Sequence, residues 1–262
     1  MSADTNHDQD GTASVKAPFL PAAEWTVGDV ILALLAGIVG AVVAGVLIGA
    51  GGSHSVDTGD IAVTIAAQAL ATIAFVAWRG RSRGTGVWWR DVGIRIQPRY
   101  FWGIFSGVAL QIAVALIVGP LIRLLAPDAP RQEIVDVAER TSGAASRLVF
   151  AVLVVLIAPF VEEVVFRGML LSRLRRTMSP MLAVVISAAA FAALHLIDPS
   201  ALAAVPGLFL IGVALGWMTL RSGDIGLAIF VHAGVNLTGV LVVFLAPETL
   251  EALPAALRLG GF

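Results

Sequence analysis

The stretch LVFAVLVVLIAPFVEEVVFRGMLL, residues 148–171, decides how this chain folds. Its length and apolar content suit a membrane-crossing helix, which needs roughly 20 such residues. Yet it carries Glu162, Glu163 and Arg167. A charge at the centre of a spanning helix costs about 2.5–3.5 kcal/mol on insertion scales, so three unpaired charges would cost roughly 7–10 kcal/mol. Glu163 and Arg167 are four residues apart with the acid on the amino side, the better orientation for a helical ion pair. Glu162 points about 100° away around the helix and has no local partner. It must face protein, water or another polar group. Two readings follow: a network that clamps neighbouring helices, and a site in which Glu162 does chemistry. Two adjacent acids with one base favour the second.

The rest of the chain is of the same class. Of 262 residues, 58% are hydrophobic and 13% charged, about half the usual charged fraction of ~25%. The expected fold is all-α: a polytopic transmembrane helical bundle of seven to eight spans. The apolar runs predict spans at 29–50, 61–78, 101–125, 148–171, 180–197, 202–220 and 225–246. Positions 1–27 read as a disordered polar tail, followed by a retained span rather than a signal peptide. Positions 28–262 form a single transmembrane domain. The net charge of −1 gives no case for nucleic-acid binding. With no cysteine, a thiol nucleophile, a disulfide and cysteine-ligated zinc are excluded.

The connections carry the orientation. Six arginines lie in 79–99, three in 173–176 and none in 51–60, which puts the amino terminus in the cytoplasm. Four more in 123–147, balanced by acids, weaken the contrast. The tryptophans and arginines of 79–99 suit an interfacial segment. Positions 131–140 read as a surface helix, and 248–262 as a short interfacial one. The expected location is an integral protein of the plasma membrane.

More polar groups recur in the later spans. FAALHL sets Phe191 and His195 four apart, and VHAGVN sets His232 and Asn236 four apart, so each pair shares a helical face. Singly these are weak signals. A histidine just before Asp198 and Pro199 suits a membrane interface, and a lone asparagine suits interhelical hydrogen bonding. Together, a carboxylate, two imidazoles and a carboxamide are what hydrolysis requires. A carboxylate with a histidine can activate water, and a second histidine with an amide N–H can stabilise an oxyanion.

EEVVFR (162–167), FAALH (191–195) and HAGVN (232–236) resemble the three motifs of the CAAX-protease and bacteriocin-processing family, intramembrane proteases related to type II CAAX prenyl endopeptidases. The likeness covers about 158–238, and the first three spans carry no such motif. The resemblance implies an endopeptidase acting on a membrane-embedded or lipidated peptide or protein in the bilayer, with its catalytic half at 148–246. It implies that Glu162 and His195 activate water, that His232 and Asn236 bind the oxyanion, and that Glu163, Arg167 and Phe191 support the site. The family has been read both as metal-free and as metal-dependent. The metal-free reading is favoured, and zinc on Glu162, His195 and His232 is the alternative. No HExxH is present. Ser187 lacks the flanking glycines of a rhomboid-like nucleophile, and Asp224 lacks the partner an aspartyl protease needs. Two non-proteolytic readings stay open. One is a catalytically silent scaffold or bacteriocin-immunity factor. The other is a proton-coupled carrier.

Helical rise sets one conflict. From the predicted cytoplasmic ends, Glu162 lies at a depth of ~14 Å, His232 at ~10 Å and His195 at ~22 Å. A shared site, expected in a cleft open to the cytoplasm, requires that offset of roughly 10 Å to close.

Overall fold

The computed structural model describes residue 21 and residues 23–50, 58–126 and 133–245. Among these, seven helical segments are long and apolar enough to cross a membrane. They are Val27–Gly49, Thr58–Arg83, Pro98–Leu125, Ala144–Arg175, Pro180–Ile197, Pro199–Ser222 and Gly226–Leu245, called here the first to seventh spans. No strand occurs among the described residues. The protein is a polytopic helical bundle, as the hydropathy pattern predicts. The glycine-rich turn at 51–57 and the expected interfacial helix at 248–262 lie outside the described residues, as does most of the expected amino-terminal tail.

That tail ends earlier than position 27. Ala23 and Trp25 are buried, and the Trp25 indole Nε1–H donates to the Asp91 carbonyl at 3.0 Å. Thr26 and Asp29 then cap the first span reciprocally. The Asp29 N–H donates to Thr26 Oγ1 at 3.1 Å, and the Thr26 N–H donates to Asp29 Oδ2 at 2.9 Å. This is a capping box with aspartate in place of glutamate.

The later half of the fourth span is enclosed by the bundle. Residues 163–172 are buried without interruption, as a helix enclosed on every side must be. It is not a regular helix. Two π-helical stretches, Leu153–Ile157 and Val164–Leu171, flank the short α-helical stretch Ala158–Glu163. Such turns are rare and concentrate at functional sites. The third and seventh spans pack against each other backbone to backbone: a Cβ on Gly107 would strike the Val231 carbonyl, and one on Gly234 the Ile104 carbonyl.

The connections are more deeply set than interfacial loops. After the second span, Asp91 accepts from the Thr85 N–H at 2.7 Å and from the Gly86 N–H at 3.1 Å. This segment covers the turn into the seventh span, where the Ile225 N–H donates to the Gly93 carbonyl at 3.1 Å. Asp224 there accepts from the Tyr100 hydroxyl at 2.7 Å. The surface helix expected over 131–140 appears as Glu133–Arg140. Its Val135 and Ala138 are buried in a cluster with Phe150, Val154, Ala233 and Val240.

Candidate active site

The site begins with a missing N–H. At the end of the first π-helical stretch the Ala158 N–H reaches back to the Leu153 carbonyl. The next residue is Pro159, which has no N–H to give. The Val154 carbonyl is therefore skipped, and an orphaned carbonyl inside a bundle is costly. Asn236 of the seventh span satisfies it: Nδ2 donates to the Val154 carbonyl at 2.9 Å. One of the two amide N–H bonds is committed there, and the other is left for a second acceptor.

One turn further along the fourth span the two glutamates part. Glu163 turns inward and is fully buried. Its Oε1 accepts from Arg167 Nη1 at 2.8 Å, the ion pair expected from their spacing. The same oxygen lies 2.9 Å from His232 Nδ1. A carboxylate cannot donate, so Nδ1 carries the proton and Nε2 is the atom His232 turns outward. Arg167, equally buried, also donates from Nη2 to the Gly212 carbonyl at 3.0 Å. Its guanidinium lies 4.8 Å from the centre of the Phe191 ring. Phe191 meets His195 and His232 edge-on, at 4.9 and 5.6 Å between ring centres, so it stands at the hub of the cluster.

Glu162 turns the other way. Its side chain is 26% exposed, and Oε2 lies 3.6 Å from His232 Nε2. It lines a cleft of about 190 Å³ together with His195. The other walls include Leu34 and Ile38 of the first span, Gln68 of the second and Ile197. His195 Nδ1 donates to the Phe191 carbonyl at 3.0 Å, which leaves Nε2 as the free ring atom. Glu162 and His195 thus share a cleft, His232 approaches Glu162 from the protein side, and Asn236 sits behind, bonded to Val154.

The depth conflict resolves through the span ends. The fourth span continues to Arg175 rather than stopping at residue 171, which sinks Glu162 by a further ~6 Å and brings it level with His195. The first turn of the seventh span is covered by the 84–97 segment, where a Cβ on Gly226 would strike the Arg95 carbonyl.

Two residues weighed for other proteases are structural. Ser187 is buried and donates to the Phe166 carbonyl at 2.9 Å. Asp224 is held by Tyr100 and by the Gly226 N–H at 2.9 Å. Gln68, Leu34 and Ile38 went unread in the sequence. Only Gln68 offered a signal, a carboxamide in an apolar span.

For a metal, the chemistry and the geometry disagree. His195 and His232 each commit Nδ1 to an acceptor and leave Nε2 free, as metal-binding histidines do, and Glu162 is a third donor of zinc-binding type. Among the described residues, however, no three such side chains gather closely enough to hold one ion. The set does not fit a metal as arranged.

The fold and the cluster define a polytopic membrane protein with a glutamate–histidine site within its helices. Residues 144–238, which contain the whole cluster, match the model of the Rce1-like family, described as type II CAAX prenyl endopeptidase Rce1-like. No curated protein and no solved structure matches the chain.

Proposed function

We propose that this chain is an intramembrane endopeptidase that hydrolyses peptide bonds of a membrane-associated peptide or protein. The family match supports the class of reaction. The observation that carries the reading is the division between the paired glutamates. Glu163 is spent on Arg167 and His232, whereas Glu162 faces a cleft that also exposes His195. A carboxylate kept only to clamp helices would have no reason to face a cavity.

In the proposed reaction, Glu162 and His195 hold a water in the cleft. Glu162 takes its proton as the oxygen bonds to the scissile carbonyl carbon. The tetrahedral oxyanion is met by His232 Nε2–H and by the second N–H of Asn236. His232, whose Nδ1–H serves Glu163, turns Nε2 toward Glu162 and donates to the oxyanion from there when Nε2 carries a proton. The C–N bond then breaks, and the proton on Glu162 passes to the leaving amine. The products are a carboxylate and an amine. The mechanism needs no cofactor.

The proposed topology keeps the amino terminus and the arginine-rich connections in the cytoplasm, in the plasma membrane. Residues 148–246 are proposed to form the catalytic half of one transmembrane domain. His195 and Ile197 end the fifth span, away from those connections. Substrate and water are therefore proposed to enter sideways, between the first, second and fifth spans that wall the cleft, in place of the cytoplasmic mouth expected from helical rise.

The test compares new protein termini in membranes carrying the active chain or Glu162→Gln. Glutamine keeps the volume and loses the base, so cleavage should fall ~10³-fold with folded protein retained. Full cleavage at equal expression would sink the assignment. Activity of the purified protein should survive strong chelation. Stoichiometric zinc, lost and restored together with activity, would replace the metal-free mechanism.

A further inference from the structure

Gln68 lies ten residues into the second span, ~15 Å from its start by helical rise, where a polar side chain needs a reason. It is exposed, and among the described residues its carboxamide has no hydrogen-bond partner. It lines the cleft with Glu162 and His195, and every other lining side chain is leucine or isoleucine. The cleft thus has three polar groups on aliphatic walls, the form of a binding site in which a few polar groups fix orientation.

The Gln68 backbone and stem pack closely on their neighbours. Thr72 Oγ1 donates to the Gln68 carbonyl at 2.9 Å. On the first span, a Cβ at Gly37 would lie 3.3 Å from Gln68 Cγ and 2.5 Å from Thr72 Oγ1. The bare glycine leaves room for the glutamine stem and lets it reach past the first span.

A carboxamide donates and accepts at once. Its natural complement is a peptide main chain, which offers a C=O and an N–H side by side. A hydrocarbon chain offers neither. We propose that Gln68 is a substrate-binding residue that hydrogen-bonds the main chain of an extended peptide beside Glu162. This rests on the endopeptidase reading, and it adds the first two spans, outside the family match, to the site.

The chain has no cysteine, so Gln68→Cys carries a unique thiol. In native membranes a charged methanethiosulfonate should modify it at least ~10-fold faster than Leu70→Cys. Leu70 is 72% exposed and lies about 200° around the same helix, toward lipid. An apolar hexapeptide, acetylated and amidated, should slow the reaction at position 68. The same sequence with ester links in place of its amides should not, and neither should an alkyl detergent of equal length. In the cleavage assay, Gln68→Leu should raise KM about 3- to 10-fold, the worth of one hydrogen bond, with kcat within about twofold. Gln68→Asn should recover part of the loss. An unreactive thiol, equal protection by ester and amide peptides, protection by detergent alone, or an unchanged KM each overturns the proposal. If no Glu162-dependent cleavage exists but the amide peptide alone protects position 68, the endopeptidase reading fails and the peptide site stands.

Discussion

Two ion-paired clusters tie this bundle together, and they are built differently. At the head of the first span, buried Asp29 receives Arg79 Nε at 2.7 Å, with Arg83 Nε at 3.2 Å in an ion pair not aligned as a hydrogen bond. Both arginines keep about a third of their surface open, 28% and 32%, so their charges stay partly solvated. In the fourth span, Glu163 and Arg167 are wholly buried, and Glu163 Oε2 and Arg167 Nε have no hydrogen-bond partner among the described residues. The outer cluster joins a helix cap to an interface by burying one charge, Asp29, while its arginines stay partly in water. The inner one takes two charges fully out of water and leaves one polar atom of each without a partner, a poor route to stability. What the inner cluster does instead is aim His232: the Glu163 oxygen that takes Arg167 also fixes the tautomer that turns Nε2 to Glu162.

The sharpest way to break this contrast is Arg167→Ala. It leaves Glu163 buried with only His232, and removing one partner of a buried pair costs about 3–5 kcal/mol. Folded yield in detergent should collapse, and thermal unfolding of the remainder should come far earlier than in the parent. Glu163→Gln should fall between, since glutamine still accepts a hydrogen bond but leaves Arg167 unneutralised. A fully folded, active Arg167→Ala protein would show that the inner cluster is as solvated as the outer one.

Legibility in the sequence followed the same divide between local and long-range order. Seven spans were readable because apolar length is a local property. The Glu163–Arg167 pair was readable because four residues make one helical turn. The Glu163–His232 contact joins residues 69 apart, so spacing gave Glu163 its Arg167 partner but not its hold on the histidine. The two π-helical stretches left only the trace of Pro159, and the true end of the fourth span at Arg175 was hidden by polar residues beyond its apolar core. The site's far wall was least legible of all. Gln68 belongs to no motif and acquires meaning only from facing Glu162 and His195 across the cleft.

A smaller effect separates support from chemistry at Asn236. If its bond to Val154 replaces the N–H that Pro159 lacks, the two residues are coupled. Asn236→Ala should cost about 1–3 kcal/mol, the penalty of a buried unsatisfied carbonyl. Pro159→Ala returns an N–H five residues after Val154. On that background Asn236→Ala should cost less than half as much in thermal unfolding, while cleavage remains impaired because the oxyanion donor is still gone. Equal costs on both backgrounds would show that Asn236 stabilises the bundle by some route other than the freed carbonyl.

The smallest effect belongs to the outer cluster. Asp29→Asn keeps an oxygen for the Thr26 N–H, so the cap survives in part. It removes the charge that Arg79 and Arg83 share, but both guanidiniums can turn to water or headgroups. Surface pairs are worth about 0–1 kcal/mol; with Asp29 buried but both arginines partly open, unfolding in detergent should shift by about 1 kcal/mol. The shift should shrink further in high salt, which screens open pairs and leaves buried ones almost untouched. Cleavage should be unaltered, because nothing in this cluster reaches the cleft. A loss as large as that of Arg167→Ala, insensitive to salt, would mean that the Asp29 pairs are as closed to solvent as Glu163 and Arg167. The amino-terminal cap would then be part of the same under-solvated core as the fourth span.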